Sequence, residues 1–364
     1  MHCVSRVRLL LLSAIFLHIF SINLISASEP VEEHSETTQH GIFEPGPFIF
    51  DHIGDTYEWH IIDIGHKKIS IPLPVILISR NQGLIIFMSS KFHHGSKSYR
   101  NFHIEQEGEN KGSIVETLPD GTISLPFDIS ITKNIASIFV SILIILWLFI
   151  KIGNAYKRNP LSPPSGIQSL LEPVILFIRD ELAIPSIGKN KHERFMPYLL
   201  TVFFFIWINN MLGLIPIFPG GANVTGNIAV TMVLAFLTFV VTAISGNKNY
   251  WKHIFNTPGV PAWLKVPIPV MPLVETLGIF TKPIVLMIRL FANISAGHII
   301  SLGFLSLIFL FGQSNQILGY GVSVVSVLFI MFMTLLELLV AFIQAYVFTF
   351  LSALYIGMAV EEHH

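Results

Sequence analysis

Hydrophobic positions along this chain fall into three textures. The first is a short apolar run, Leu9-Leu-Leu-Leu-Ser-Ala-Ile-Phe-Leu-His-Ile-Phe20, preceded by Arg6 and Arg8 and followed by Ser26-Ala27-Ser28-Glu29-Pro30. Leading cations, a brief apolar core and small residues after it predict a signal peptide over 1–28, cut near Ala27 or Ser28. The alternative is a retained first helix, but His18 and Asn23 interrupt the run. The second texture, over 29–133, sets β-prone runs (57–64, 69–78, 83–87, 122–131) between Gly, Asn and Pro signals. It predicts an extracytoplasmic β-rich extension. The third consists of long apolar segments at 135–152, 196–218, 224–245, 273–311 and 317–358, each sufficient to cross a bilayer. A mixed apolar and charged stretch, 165–184, reads as an amphipathic helix lying on the inner surface.

The expected fold class is therefore an all-α polytopic membrane protein with five membrane helices, the last two long and tilted, plus the N-terminal extracytoplasmic β-rich domain. By segment, 134–155 is the first membrane helix, 156–195 a cytoplasmic amphipathic helix and loop, and 196–364 a core of four membrane helices. Composition agrees. Of 364 residues, 52% are hydrophobic and only 12% charged, whereas a soluble domain carries about 25% charged residues. With a net charge of −1, nothing favours a nucleic-acid partner. Cys3 is the only cysteine, which excludes a disulfide framework.

Charge placement orients the helices. Five crossings after a cleaved signal put the C-terminus inside. The inner loops then hold Lys157, Arg158, Lys189, Lys191, Arg194, Lys248, Lys252 and Lys265, while the outer connections 219–223 and 312–316 contain no Lys or Arg.

Candidate chemistry lies in the last two helices. Glu275, Lys282 and Arg289 are seven apart, so each step returns to within about 20° of the same helix face. Arg289 is the costly member, because a guanidinium stays charged and its insertion at a helix centre costs roughly 2.5 to 3.5 kcal/mol. His298 falls about 180° from Arg289, with Asn293 and Gly297 between. The last helix carries Glu337 and Gln344, also seven apart. Pairing Gln344 with Arg289 at mid-membrane sets both His298 and Glu337 about 10 to 14 Å nearer the outside. A buried imidazole and carboxylate at one depth suit proton passage.

Plainer readings stand beside these. Lys282 can snorkel to the interface or bind a lipid headgroup. Glu275 can cap a helix starting near Pro272. Asn227 and Gln344 can bridge helices by hydrogen bonds. Eight of the fifteen histidines lie in the extension, including His93, His94 and His103, without the spacing of a zinc site. They read as solvated surface residues, and no metal or cofactor is expected.

The run Arg289-Leu-Phe-Ala-Asn-Ile-Ser-Ala-Gly-His298, with Ile343-Gln344-Ala345, the closing Leu354-Tyr-Ile-Gly-Met-Ala-Val-Glu-Glu-His363 and Trp207-Ile-Asn-Asn-Met-Leu-Gly-Leu-Ile-Pro216, resembles subunit a of F-type ATP synthases over 135–364. The resemblance implies the stator half of a membrane motor, with two proton half-channels abutting a rotating ring of c subunits. It implies a bacterial inner-membrane location and, as partners, the c ring, the b subunits of the peripheral stalk, the remaining synthase and lipid. Arg289 matches the essential arginine. The resemblance places His298, Glu337, Asn293 and Asn210 on the outer channel and Glu275 near the inner one, with Arg289, Asn293 and Gln344 facing the ring. Two departures stand out: Gly213 where some relatives have an acid, and Ala292 where glycine is commoner. No Walker-type loop is present, so ATP chemistry would lie in partner subunits. The competing class is an ion-coupled secondary transporter using Arg289, His298 and Glu337, but the chain lacks the internal repeats such folds usually have. A receptor would explain the outer domain but not the charged and amide residues of the last two helices.

Overall fold

The computed structural model describes residues 43–64, 67–106, 108, 110–158, 163–215, 218–255 and 270–361. The signal-peptide segment 1–28 lies outside the described residues.

The N-terminal region opens with helix α1 (Pro45–Ile53), where a proline at the start fits a helix's first turn. Eight strands follow: β1 (Glu58–Ile64), β2 (Lys67–Pro72), β3 (Pro74–Ser79), β4 (Gly83–Met88), β5 (Phe102–Ile104), β6 (Ile114–Thr117), β7 (Ile123–Ser124) and β8 (Phe127–Asp128). They form three small antiparallel sheets, ordered β1-β2, β4-β3-β8 and β5-β6-β7. Alternation in β3 turns Val75 and Leu77 inward against Phe92, Phe102 and Ile114. The run at 69–78 divides into two strands around Leu73. Helix α1 and strands β5 and β6 have no counterpart in the sequence reading, because each is short or lacks a sustained period.

Among the described residues, five helices are long and apolar enough to cross a membrane. They are α2 (Lys133–Arg158), α5 (His192–Leu214), α6 (Ile228–Ser245), α8 (Val270–Ser314) and α9 (Gln316–Val360). Their ends differ from the hydropathy boundaries for local reasons. Helix α5 stops at Leu214 rather than 218 because Ile215, which precedes Pro216, is extended. Helix α6 starts at Ile228 rather than 224 because Asn227 caps it, its side chain accepting the Ala229 N–H at 2.9 Å. The predicted amphipathic helix is three pieces, α3 (Ile167–Phe177), a π-helical turn (Ile178–Ala183) and α4 (Ile184–Ile187). Its exposed edge carries a two-pronged Arg179–Asp180 ion pair at 2.7 and 3.1 Å, while Ile178, Leu182 and Ala183 are fully buried in the helical core. The short helix α7 (Lys248–Phe255) follows α6.

Helices α8 and α9 have 45 residues each and are joined through Asn315, whose side chain accepts the Ile317 N–H. Each is about 67 Å long, against a hydrocarbon thickness of about 30 Å, so neither fits upright. The described cations Lys157, Arg158, Lys189, Lys191, Arg194, Lys248 and Lys252 gather at one end of the helical core. The β region docks at the other end. Trp59 Nε1 donates to Gly220 O (3.1 Å) and its ring meets Phe218, while Phe43 N donates to Gln313 Oε1 and Phe48 packs on Phe309.

Within the β region, Tyr57 donates its hydroxyl to Asp128 Oδ2 at 2.6 Å, tying the segment before β1 to β8. Burial, then the Asp128 charge, pushes the phenol well above its ordinary value of 10.0. A raised folded-state value means stabilisation complete below pH 10.0 and lost as pH rises through the folded value. We expect Tyr57→Phe to destabilise the region by about 1 to 2 kcal/mol at neutral pH. It should also remove this alkaline loss, as read by amide hydrogen exchange at Leu77 and Ile78.

Candidate functional site

Helices α8 and α9 lie antiparallel, and small residues let them approach. A Cβ at Gly297 would stand 2.7 Å from Glu337 Oε1, so the glycine lets that carboxylate lie against the α8 backbone without shifting. On α9, Ala341, Gln344, Ala345 and Phe348 are buried. On α8, Leu286 and Leu290 face inward. The opposite face of α8 is open: Arg289 is exposed among Val285 and Ile288, the latter 49% accessible.

Gln344 Nε2 donates to the backbone oxygen of Arg289 at 3.1 Å. The two residues meet at one level, but through the main chain rather than the guanidinium. Gln344, expected from the sequence to face a ring together with Arg289 and Asn293, is only 3% exposed within this chain. Its amide sits between the two helices, because the small Ala341 and Ala345 draw that face of α9 against α8. Arg289 and Asn293 are the members of that trio on the open face.

Outward from Arg289, Asn210, Asn293, His298 and Glu337 line one crevice of about 260 Å³ with Leu214, Ile294, Val340 and Ala341. Ser301 donates to Glu337 Oε1 at 3.0 Å. Asn210 is committed to the fold on both sides, Nδ2 donating to Ala341 O at 3.2 Å and Oδ1 accepting the Thr225 hydroxyl. Gly213, where an acid was the alternative, opens space beside the imidazole, since a Cβ there would be 3.8 Å from His298 Nε2.

Toward the cationic end, a second crevice of about 370 Å³ is lined by Thr238, Thr242, Tyr250, Lys282, Pro283 and Tyr355, among others. The Lys282 ammonium lies 5.4 Å from the centre of the Tyr355 ring. Glu275 is close enough to act electrostatically on both Lys282 and Tyr250. Burial, then the Glu275 charge, raises the Tyr250 phenol. Helix α8 begins at Val270, five residues before Glu275, so this carboxylate stands beyond the first turn that a cap would occupy.

The predicted residues thus divide into two clusters. Asn210, Asn293, His298 and Glu337 share the first crevice, Glu275 does not line the second but acts electrostatically on its Lys282 and Tyr250, and Arg289 lies along α8 between the two crevices. Ser301, Thr225, Tyr250 and Tyr355 escaped the sequence reading. Ser301 was findable as the hydroxyl one turn beyond Gly297, whereas Thr225 lies in a loop with no periodicity.

Comparison with known proteins supplies independent findings. The family model described as ATP synthase A chain matches residues 135–357, and one described as a domain of unknown function matches 48–133. A protein named ATP synthase subunit a from Myxococcus xanthus is 46% identical over 258 residues, covering 70% of this chain and 79% of that protein. Its namesakes from Chloroherpeton thalassium and Chlorobium phaeobacteroides (strain DSM 266) are 42% and 45% identical, each over 67% of this chain and over 73% and 72% of their own length.

The contact at Gly297 can be tested directly. We expect Gly297→Val to force the Glu337 side chain aside and lower the stability of the α8–α9 pair by about 1 to 3 kcal/mol. Thermal melting of the detergent-solubilised protein reads this, and adding Ser301→Ala, which frees Glu337 to move, should return part of the loss.

Proposed function

The chain belongs to the ATP synthase A chain family, a membrane protein serving as stator subunit a in the F-type ATP synthase, and from that premise we propose that the open Arg289 face of α8 works against the rotating c ring. The observation carrying this reading is an arginine exposed on a largely apolar helix face, where Ile284, Val285 and Ile288 are also exposed. Left to lipid, such a charge costs roughly 2.5 to 3.5 kcal/mol or more, so the complex needs an acidic partner there.

A ring carboxylate passing Arg289 is held ionised by the fixed charge and gives up its proton. It must be reprotonated before it returns to lipid. The outer crevice serves as the inlet, with His298 and Glu337 exchanging protons and Asn210 and Asn293 furnishing amide walls. The inner crevice, with Glu275, serves as the outlet. Gln344 acts from behind, fixing the Arg289 backbone against α9. Separation of the two crevices along α8, with Arg289 between, blocks a direct leak.

The same reading orients the molecule. The cationic end faces the cytoplasm of a bacterial inner membrane and the β region lies outside, delivered by the 1–28 signal. The b subunits of the peripheral stalk and lipid cover the remaining apolar belt.

Arg289→Ala, in assembled synthase, is expected to reduce proton-driven ATP synthesis in inverted vesicles to background. Synthesis at the normal rate would refute the assignment. Glu337→Ala is expected to leave assembly intact and slow synthesis by about 100-fold or more, the range for losing one proton-transfer group.

A further inference from the structure

Arg289 is not the only cation on its side of α8. Lys282 comes one heptad earlier, about 10 Å away along the helix axis. It lines the inner crevice together with Thr238, Thr242 and Ala243 of α6, Tyr250 of α7 and Tyr355 of α9. Four helices thus converge around this ammonium. Among the described residues it makes neither a hydrogen bond nor an ion pair, and what it meets is the face of the Tyr355 ring, with the centroid 5.4 Å away.

The crevice holds little that would cancel the charge. No carboxylate lines it, and the α6 hydroxyls are spent within α6, Thr242 on the Thr238 carbonyl and Thr238 on that of Leu234. Glu275 acts on Lys282 only from beyond ion-pair range. A lysine that merely snorkels carries its ammonium out to the surface. Lys282 is instead half-buried, with its ammonium over an aromatic ring in the crevice wall. A cation placed so, without a paired anion and between low-dielectric walls, projects its field into the enclosed space with less screening than at an open surface.

Resting on the reading of the inner crevice as the proton outlet, we propose that Lys282 is the fixed positive charge of that outlet, which hinders protons of the inner side from reloading the ring carboxylate. At the outlet the O–H bond of the ring acid breaks, the proton passes to water in the crevice and the carboxylate remains; no other bond changes. Lys282 favours that ionised form, as Arg289 does, but from the inner side, and it repels a proton approaching in the reverse sense. The titratable and charged groups around it are Tyr355 from α9, Tyr250 from α7, and Glu275 and Arg289 one heptad to either side on α8, while α6 presents only hydroxyl and apolar groups. A unit charge 10 Å from a carboxylate changes its proton affinity by about 0.5 to 1 pH unit at an effective dielectric constant of about 25 to 50. ATP-driven pumping loads the ring from the inner side, so this charge sets the alkaline limit of pumping.

The test uses whole synthase in liposomes with the cytoplasmic end outward and the membrane potential collapsed. ATP-driven proton uptake is measured against outside pH, each rate divided by that of ATP hydrolysis by the detached catalytic part at the same pH. Lys282→Gln is expected to move the alkaline fall of uptake upward by about 0.5 to 1 pH unit, and Lys282→Arg, which keeps the charge, to hold the wild-type profile. An unshifted Lys282→Gln, a loss by the same factor at every pH, or a Lys282→Arg shifted like the amide would each overturn the inference. The shift is expected equally in purely zwitterionic phospholipid; a shift confined to vesicles containing anionic phospholipid would mean that Lys282 works by holding a headgroup, and would overturn it too. Ala243→Cys, treated from outside with a polar thiol reagent beside treated wild type, separates the two readings. Its uptake is expected to be blocked. An absent block would remove the outlet reading and this inference with it, whereas a block together with an unshifted Lys282→Gln would overturn the inference alone.

Discussion

Everything in the helical core is arranged around one unneutralisable charge in an apolar setting. Arg289 cannot shed its proton, and the helix that carries it turns that residue outward rather than inward. The inward face of the same turn is occupied by Leu286 and Leu290, and the main chain is fixed from behind by Gln344. The protein thus holds the backbone of the arginine firmly and leaves its side chain on the open face of α8. Gly297 and Ser301 keep the Glu337 carboxylate on the far side of α8.

The β region is joined to this core by more than the chain. Contacts from Phe43, Phe48, Asp55, Thr56 and Trp59 reach α8, the head of α2 and the loop after α5. These points all lie at the end of the core away from the cation cluster. A module that merely hung from the first helix would have no reason to engage the loop at 218–221, whose next residue, Ala222, places its carbonyl 3.3 Å from where a Gly213 Cβ would be.

Helix number and rough placement were legible because each crossing satisfies a length and hydropathy rule that little else in a sequence satisfies. The ends were not, because caps and prolines decide them: Asn227 for α6 and the residue before Pro216 for α5. The seven-residue spacing of Glu275, Lys282 and Arg289 was legible, and so was the common level of Gln344 and Arg289. What the spacing could not reveal was which atom of Arg289 meets Gln344, since two antiparallel helices can be rotated about their axes without changing their register.

The last helix also has a mechanical character. Near its start Gly319 touches Gly312 of α8 so closely that a Cβ would lie 2.7 Å from the Gly312 backbone, and near its end Gly357 presses on the Ser186 main chain of α4. Beyond that, Lys191 Nζ and the Asn247 side-chain amide both donate to the Val360 carbonyl. A rod clamped at both ends bends far less under a sideways load than one held at a single end. Helix α9 backs the open Arg289 face of α8. Braced near both ends, it would hand a sideways load on that face to α4 and to the segments carrying Lys191 and Asn247 rather than yield to it.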